Sequence, residues 1–363
     1  MKILRTYLLR EHLGPFVVCL FGLTAVLLLG NVLKFAELVI AKGVSAVDLL
    51  RLLIYRVPDM LSFTIPMACL IAMVLAFGRL SADYEMIAVR ASGVSPARLI
   101  WPMAAVGLLL SAFMFVINDR VAPASHLAFR RQLKAIGIKQ PTAYLEAGTF
   151  IKDFAPYVMF VYQIRGRTLH QVRIYEPQPN GPTRTIIAER GEFERSPGGR
   201  GVQLRLYRGA MDEWDPTRPG SFYKVAFSTY AMQLQTDIDD PQRIGKKLKE
   251  FTFRELAEER ARLAAQGIET LPISLELHRK VAVSFAPLVF ILFGLVFGLR
   301  LHQHERLQIY LWVLAVFLVY YLGMIGMHAA AIRGWVGPGL AMWMMNLAGA
   351  LGAGLALTRI ARE

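Results

Sequence analysis

The chain has 363 residues, 55% of them apolar and 19% charged, with a mean hydropathy of +0.41. A soluble protein of this length rarely carries so apolar a composition, so a purely aqueous globular fold is excluded and the membrane class is indicated. The net charge of +14 raises nucleic-acid binding. The basic residues are scattered, however, with no basic run interleaved with aromatics, and a membrane surface with anionic lipids fits them better.

Charge-free stretches run over Leu13–Leu33, Met60–Gly78, Leu99–Asn118, Val281–Leu299, Leu307–Ile332 and Gly334–Thr358. Each has about the 20 residues that cross a hydrocarbon core about 30 Å thick. The reading is six transmembrane helices, three on each side of a central soluble segment. Lys2, Arg5 and Arg10 precede the first span in the manner of a signal peptide. Its apolar run is too long for one and no small-x-small cleavage site ends it, so an uncleaved anchor is expected. Both cysteines, Cys19 and Cys69, fall inside spans, which argues against a disulfide or a thiol metal site.

Between the second and third spans stands "SADYEMIAVRASGVSPARL" (81–99). It reads as a short polar helix over about 81–92, with Ser81 as cap and Asp83 and Glu85 in the first turns, where carboxylates complement the helix dipole. Arg90 stands near its end, Gly93 supplies a left-handed exit, and Ser95-Pro96 starts the next helix. Tyr84, Ile87 and Ala91 form an apolar stripe at helical spacing. An interfacial helix that merely ends two spans and a knob on which a cytoplasmic partner docks are both compatible with this pattern.

The central segment changes period. Residues 157–166, 169–176, 183–194, 201–214 and 222–235 are rich in β-branched and aromatic side chains and are separated by turns such as "EPQPNGP" and "SPGGRG". Val202, Leu204 and Leu206 alternate with Gln203, Arg205 and Tyr207, as in a half-buried strand. Tyr157–Tyr162 is apolar on both faces, which suits a sandwich-core strand or the lining of an apolar slot. "FTFRELAEERARLAAQG" (251–267) then reads as a charged helix ending at Gly267.

With the N-terminus cytoplasmic, the inner short segments hold ten arginines and lysines, including Arg79, Arg90, Arg98 and Arg300, while the outer ones hold Lys34, Lys42, Arg51, Arg56 and Arg333. That bias places both termini in the cytoplasm and the β segment outside. Arg130, Arg131, Lys134, Arg279 and Lys280, flanking the β segment, cut the other way, but long domains weigh little in this rule.

No G-x-x-x-x-G-K-[ST], H-E-x-x-H, G-x-S-x-G or paired-cysteine motif occurs, so no catalytic, ATP or metal site is assigned to this chain. His302 and His304 would need a third ligand from elsewhere to hold a metal, and His328 in the fifth span reads as a hydrogen-bonded interior residue. Lys34 lies roughly 31 Å beyond Leu13 along a helix, at headgroup level. There it serves either as a snorkelling anchor or as a cation for an acidic lipid head. Lys42, Arg51 and Arg56 extend that rim by proximity alone. Gly294 and Gly298, with the pairs Gly349/Ala353 and Ala350/Gly354, permit close helix packing, and Pro58, Pro66, Pro102 and Pro287 permit kinks.

The stretch "GRLSADYEMIAVRASGVSPARL" resembles the coupling-helix signature of the LptF/LptG (YjgP/YjgQ) lipopolysaccharide-export permeases. "YLLREHLGPF", the proline-bearing "RVPDMLSFTIPMACLIAMVLAFGRL" and "LHRKVAVSFAPLVFILFGLVFGL" resemble the family's opening, second span and fourth span. "LAMWMMNL" (340–347) is closer to the LptF branch and "LKFAEL" (33–38) to LptG. The resemblance implies an α-helical polytopic inner-membrane protein with a periplasmic, jelly-roll-like all-β insertion. The implied divisions are spans one to three over 1–118, the β domain over 119–250, a connecting helix over 251–280 and spans four to six over 281–363. It also implies the permease subunit of an ABC-type exporter that extracts lipopolysaccharide and passes it to a periplasmic bridge of the LptA type. A second such permease, an LptC-type single-span protein and an LptB-type ATPase dimer that carries the ATP and Mg complete the expected assembly. Glu85, with Tyr84 and Arg90, takes the ATPase-docking role, and Lys34 the headgroup role. A mechanotransmission permease of the MacB/FtsX type, with four spans, and a non-transport membrane scaffold are the alternatives.

Overall fold

The structure is a computed structural model that describes residues 2–40, 44–92, 97–139, 148–151, 156–165, 168–178, 183–195, 202–214, 222–234, 246–300 and 306–362. Its helices are α1 (Lys2–Ile40), α2 (Ala46–Ala82), α3 (Glu85–Ala91), α4 (Ala97–Val116), α5 (Ala122–Lys139), α6 (Phe253–Ala265), α7 (Leu271–Ser284), α8 (Ala286–Arg300), α9 (Arg306–Ile332) and α10 (Pro338–Arg362). The strands are β1 (Phe150–Ile151), β2 (Val158–Arg165), β3 (Thr168–Glu176), β4 (Arg184–Arg195), β5 (Val202–Trp214) and β6 (Phe222–Leu234). Two compact units result. One holds Met1–Gly30, Tyr55–Leu127 and Lys246–Glu363; the other holds Asn31–Ile54 and Ala128–Gly245.

In the first unit, five helices or helical runs among the described residues are long and apolar enough to cross a membrane, and α7 with α8, bent by 41°, makes a sixth. The 3+3 expectation is therefore met. α2 is the central span: 72% of its most apolar stretch is buried, against none of that of α1 and 17% of that of α9. The expected G-x-x-x-G packs here. A Cβ added at Gly294 or Gly298 would lie 2.6 Å from the Cβ of Met73 or Phe77 on α2, so only glycine lets α8 approach this closely. Gly349 sits likewise against Val289, whereas Gly354 faces open space.

Two boundaries differ from the expected ones. The third span does not stop at Asn118, because a π-helical turn (Ile117–Val121) joins α4 directly to α5 and the helix runs on to Lys139. The fourth begins at Leu271 rather than Val281 and takes Glu276, Arg279 and Lys280 into the bundle. The charge-free run starts only after these charges, at Val281. In the structure Arg279 neutralises Glu276 through two hydrogen bonds of 2.8 and 2.6 Å, so a helix carrying both can be buried.

The break between α7 and α8 falls at Phe285, just before Pro287. A broken helix exposes amides and carbonyls that have no water to bond with inside a bilayer. Here neighbouring side chains meet them. The Ser111 hydroxyl on α4 accepts from the Leu288 amide (3.3 Å), and the Asn346 amide on α10 donates to the Ala282 carbonyl (2.7 Å). Tyr320 in turn donates to the Asn346 side-chain oxygen (2.8 Å).

α6 follows the sequence closely. Thr252 caps it in a reciprocal box with Glu255, and Gly267 leaves it at a left-handed φ of 71°. The half-buried Asp119 carboxylate, within the π turn, accepts a further bond from the Phe253 amide (2.5 Å), tying the start of α6 to the third span.

In the second unit the five expected strands appear within two residues of their predicted ends, joined by the two-residue β1. The described strands form one antiparallel sheet in the order β1-β2-β3-β4-β5-β6. This is a meander in which each strand pairs with its chain neighbour. The jelly roll implied by the resemblance would cross between two sheets, and no such pairing joins the described strands. Met159 and Val161 of β2 are buried with Leu169, Ile174, Ile186, Leu204 and Leu206. The opposite face of β2 is only half covered, with the Phe150 ring 5.0 Å from that of Phe160. Alternation slips where Gln171 and Arg208 take positive φ (53° and 50°). Leu169 and Leu206 are buried before these points, and Val172 and Met211 after them. Separately, Phe35, Val44, Leu52, Phe129, Leu133 and Ile136 form a small apolar cluster, beside which Gln132 bonds Asp48 (2.7 Å).

Gly298→Val should force α8 away from α2. A thermal melt of the purified protein should show a loss of about 1–3 kcal/mol of stability, the usual cost of overpacking. Gly354→Val, with space around it, should leave the melting temperature unchanged, and equal losses in both would show that this contact is not specific.

Candidate functional site

The polar segment between α2 and α4 is built differently from its prediction. α2 continues through Ser81, which therefore caps nothing, and ends at Ala82. Tyr84 turns the chain with a left-handed φ of 59°, and α3 starts at Glu85. A non-glycine residue in that region is uncommon and costs about 1–3 kcal/mol unless its surroundings impose it. The face packed on the bundle is also different. Met86 is buried and Val89 packs against the same cluster, while Tyr84 and Ile87 are 73% and 61% exposed. Hence Tyr84 and Ile87 do not tie the helix down.

The tie is made by Glu85. Both its carboxylate oxygens accept from the Tyr7 hydroxyl near the start of α1, at 2.8 and 3.0 Å. Arg79 donates to the same hydroxyl (3.4 Å), pairs with Glu11 at 2.8 Å and reaches Asp83 at 3.7 Å. Three acids, one arginine and one tyrosine thus join α1, the end of α2 and the start of α3. The side chain of Arg90 lies outside the described residues.

At the opposite end of the bundle, where α2 begins and α9 ends, is a cavity of about 880 Å³. One wall is apolar: Phe63 from α2, Leu275 from α7, and Tyr321, Met324, Ile325 and Ile332 from α9. The other is polar, with Asp59 and Ser62 on α2, Asn118 in the π turn, His126 on α5, and Glu276, Arg279 and Lys280 on α7. The hydrogen bonds form a network. The Ser62 hydroxyl donates to Asn118 Oδ1 (2.7 Å), Asn118 Nδ2 donates to Ser284 Oγ (3.0 Å), and Ser284 donates to the Lys280 carbonyl (2.7 Å). Lys280 Nζ donates to the Asn118 carbonyl (3.0 Å), within the π turn. Turns of this kind recur at functional positions because they reorient a backbone carbonyl. Asp59 meets His126 at 3.2 Å and Arg56 at 3.5 Å. His328, expected to be interior, is half-buried and lines this cavity.

Of the four cations expected at an outer rim, Arg56 reaches the cavity's charge network through Asp59. Arg51 belongs to the second unit and pairs with Asp48 at 3.8 Å. Lys42 and the side chain of Lys34 lie outside the described residues, as do His302 and His304. Sequence reasoning missed the polar wall. By residue order Asn118 ends a charge-free run, and Arg279 and Lys280 flank the next one. Their signal was proximity to an apolar run, within a helical turn or two of Val281.

A family model described as "Lipopolysaccharide export system permease LptF/LptG" matches residues 6–359. An uncharacterized protein of Rickettsia prowazekii (strain Madrid E) is 21% identical over 238 residues, 65% of this chain and 65% of that protein. The match thus spans slightly less than two thirds of that relative.

Tyr7→Phe removes the hydroxyl that holds Glu85, a loss of about 1–3 kcal/mol for a bond to a charged group. Hydrogen exchange should then rise at the α3 amides and stay as before in α2 and α8. Unchanged exchange in α3 would mean that Met86 and Val89 alone hold it.

Proposed function

The chain belongs to the lipopolysaccharide export system permease LptF/LptG family, and we propose from this that it is the transmembrane permease subunit of an exporter that draws lipopolysaccharide out of the inner membrane. Both termini and α3 face the cytoplasm, and the six-stranded sheet lies in the periplasm, where it hands the lipid to an LptA-type bridge. ATP is hydrolysed on a separate LptB-type ATPase dimer, and a second LptF/LptG-type permease and an LptC-type single-span protein complete the assembly.

The observation that carries this reading is the family match over nearly the whole chain, beside two physical features. One is the discrete helix α3. A plain turn would connect two spans, but a helix anchored through Met86, Val89 and Glu85 can transmit a push into α1 and α2 together. The other is the distribution of burial. α1 and α9 are apolar and open, with Phe21, Val26 and Leu33 at 71%, 69% and 69% exposure on α1, and Val319 and Leu322 at 64% and 62% on α9. Such faces suit lipid and a second permease, and the first and fifth spans of opposing subunits form the lateral gates through which substrate enters. Lys34, Lys42, Arg51 and Arg56 meet its acidic head.

In this scheme Glu85 has two competing partners, Tyr7 within the chain and donors in a cleft of the ATPase. Docking then draws Glu85 from Tyr7 and passes the movement to α1. Glu85→Ala should insert and fold yet recover less ATPase on pull-down, with weaker transport. Tyr7→Phe, which frees the carboxylate, should recover at least as much ATPase as the unmodified chain. Full ATPase recovery and transport by Glu85→Ala would overturn the docking role.

A further inference from the structure

Inward and outward side chains alternate along a β-strand, so two outward residues in succession mark a change of phase. In the six-stranded sheet, five strands make this change at one level. On β2 the outward pair Tyr162 and Gln163 separates inward Val161 from inward Ile164, and on β3 His170 and Gln171 separate Leu169 from Val172. Glu189 and Arg190 stand likewise between Ala188 and Gly191 on β4, and Ser228 and Thr229 between Phe227 and Tyr230 on β6. On β5 the outward pair is Tyr207 and Arg208. Tyr162, Gln171, Glu189, Arg208 and Ser228 lie opposite one another from strand to strand. The register is the same on both sides of this row, yet among the described strands the row itself is left out of every ladder. A crease thus crosses the sheet, and its five exposed residues line one groove of about 760 Å³.

The charges that line this groove do not cancel. Arg173, Arg208 and Lys224 stand against Glu189 alone, three positive to one negative, a net of +2. Glu189 pairs with Arg208 at 3.4 Å. Arg173 lies over the Tyr162 ring, 5.5 Å from its centroid, and among the described residues neither Arg173 nor Lys224 is ion-paired. Asp212 is opposite Lys224 in the register but outside the groove. A Cβ added at Gly209 would collide with the Ile187 carbonyl and the Phe227 ring, so glycine lets β4, β5 and β6 close up at the crease. We propose that the groove is a docking surface for an extended, acidic segment of a partner polypeptide, laid across the strands. Neighbouring strands are about 4.8 Å apart, which puts Arg173 on β3 and Lys224 on β6 roughly 15 Å from each other. No single carboxylate or phosphate bridges that gap. An extended chain advancing about 3.3 Å per residue brings acidic side chains some four or five residues apart to both cations. Each then gains a charge-assisted bond. Ile187, 41% exposed, and Phe227 also line the groove and offer apolar contact. The groove is on the face of the sheet, not at an edge, so side chains rather than strand addition carry recognition. A segment bound there bridges the two halves of the sheet that the crease divides.

The test uses the full chain in nanodiscs and a fluorescent peptide of glutamates separated by single valines. About eight residues suffice, since the row is roughly 19 Å long at about 3.3 Å per residue. Fluorescence anisotropy should report binding that weakens with added salt, and the same peptide with lysine for glutamate should not bind. Arg173→Glu with Lys224→Glu should weaken binding about tenfold, because each reversal sets like charges together. Arg254→Glu with Arg260→Glu, the same change of charge on α6, should leave it as it was. Should the first pair fail to accumulate, a photo-crosslinking group in the peptide replaces it, with adducts on the unmodified chain expected within residues 187–189, 208–210 and 224–228. No binding, equal losses in both charge-reversed pairs, or adducts only elsewhere would overturn the docking surface and leave the permease reading standing. Displacement of the peptide by polygalacturonate or by lipopolysaccharide, at concentrations where a second acidic peptide does not displace it, would assign the groove to a glycan or to the exported lipid and refute the proposal.

Discussion

Inside a bilayer there is no water to bond a backbone amide or carbonyl that a helix break sets free, so each break has to be met by a side chain. Two breaks face each other in this bundle, the π turn after α4 and the bend between α7 and α8. Asn118, Ser284 and Lys280 serve the first, and Ser111 and Asn346 the second. These residues sit on α4 with its π turn, on α7 and on α10, so three separate stretches of chain are held in register by side-chain bonds. Close apposition of α8 to α2 through Gly294 and Gly298 then places this polar seam beside a tightly packed one.

That arrangement separates a buried part of the bundle from an open one. α2, α7 and α8 are buried and cross-bonded, whereas α1 touches the core through its first half, at Leu4, Tyr7, Leu8, Phe16 and Leu20, with Thr24 bonding Thr64 of α2 (3.1 Å). Along the rest of α1 the outward side chains are apolar and open. The hydrogen-bonded set of Tyr7, Arg79 and Glu85 ties the start of this span to the end of α2 and to α3. Because α3 shares that set, whatever seizes α3 also reaches α1. Burial and hydrogen bonding here point the same way as the family's role in export.

The two ends of the bundle are chemically distinct. The α3 end carries exposed, paired charges that a protein partner can re-pair at small cost, since solvent screens them. The cavity end carries buried charges, where removing or adding one has a large effect.

Much of this was legible from residue order alone. Runs of about 20 apolar residues name their spans because hydrocarbon thickness permits few alternatives. The strands followed from β-branched residues between glycine and proline turns, and the G-x-x-x-G at 294–298 from its spacing. Local chemistry governs all of these. Tertiary structure alone decided that α7 runs on through three charges, because only the pairing of Arg279 with Glu276 makes their burial affordable. It alone decided that Met86 and Val89, not Tyr84 and Ile87, face the bundle, since the left-handed turn at Tyr84 rotates α3 away from the phase of α2. Residues 56 and 59 are neighbours in any helix. The meeting of Asp59 with His126, of Ser62 with Asn118, and of Asn118 with Lys280 depends on how separate helices pack, which no periodicity within one helix records.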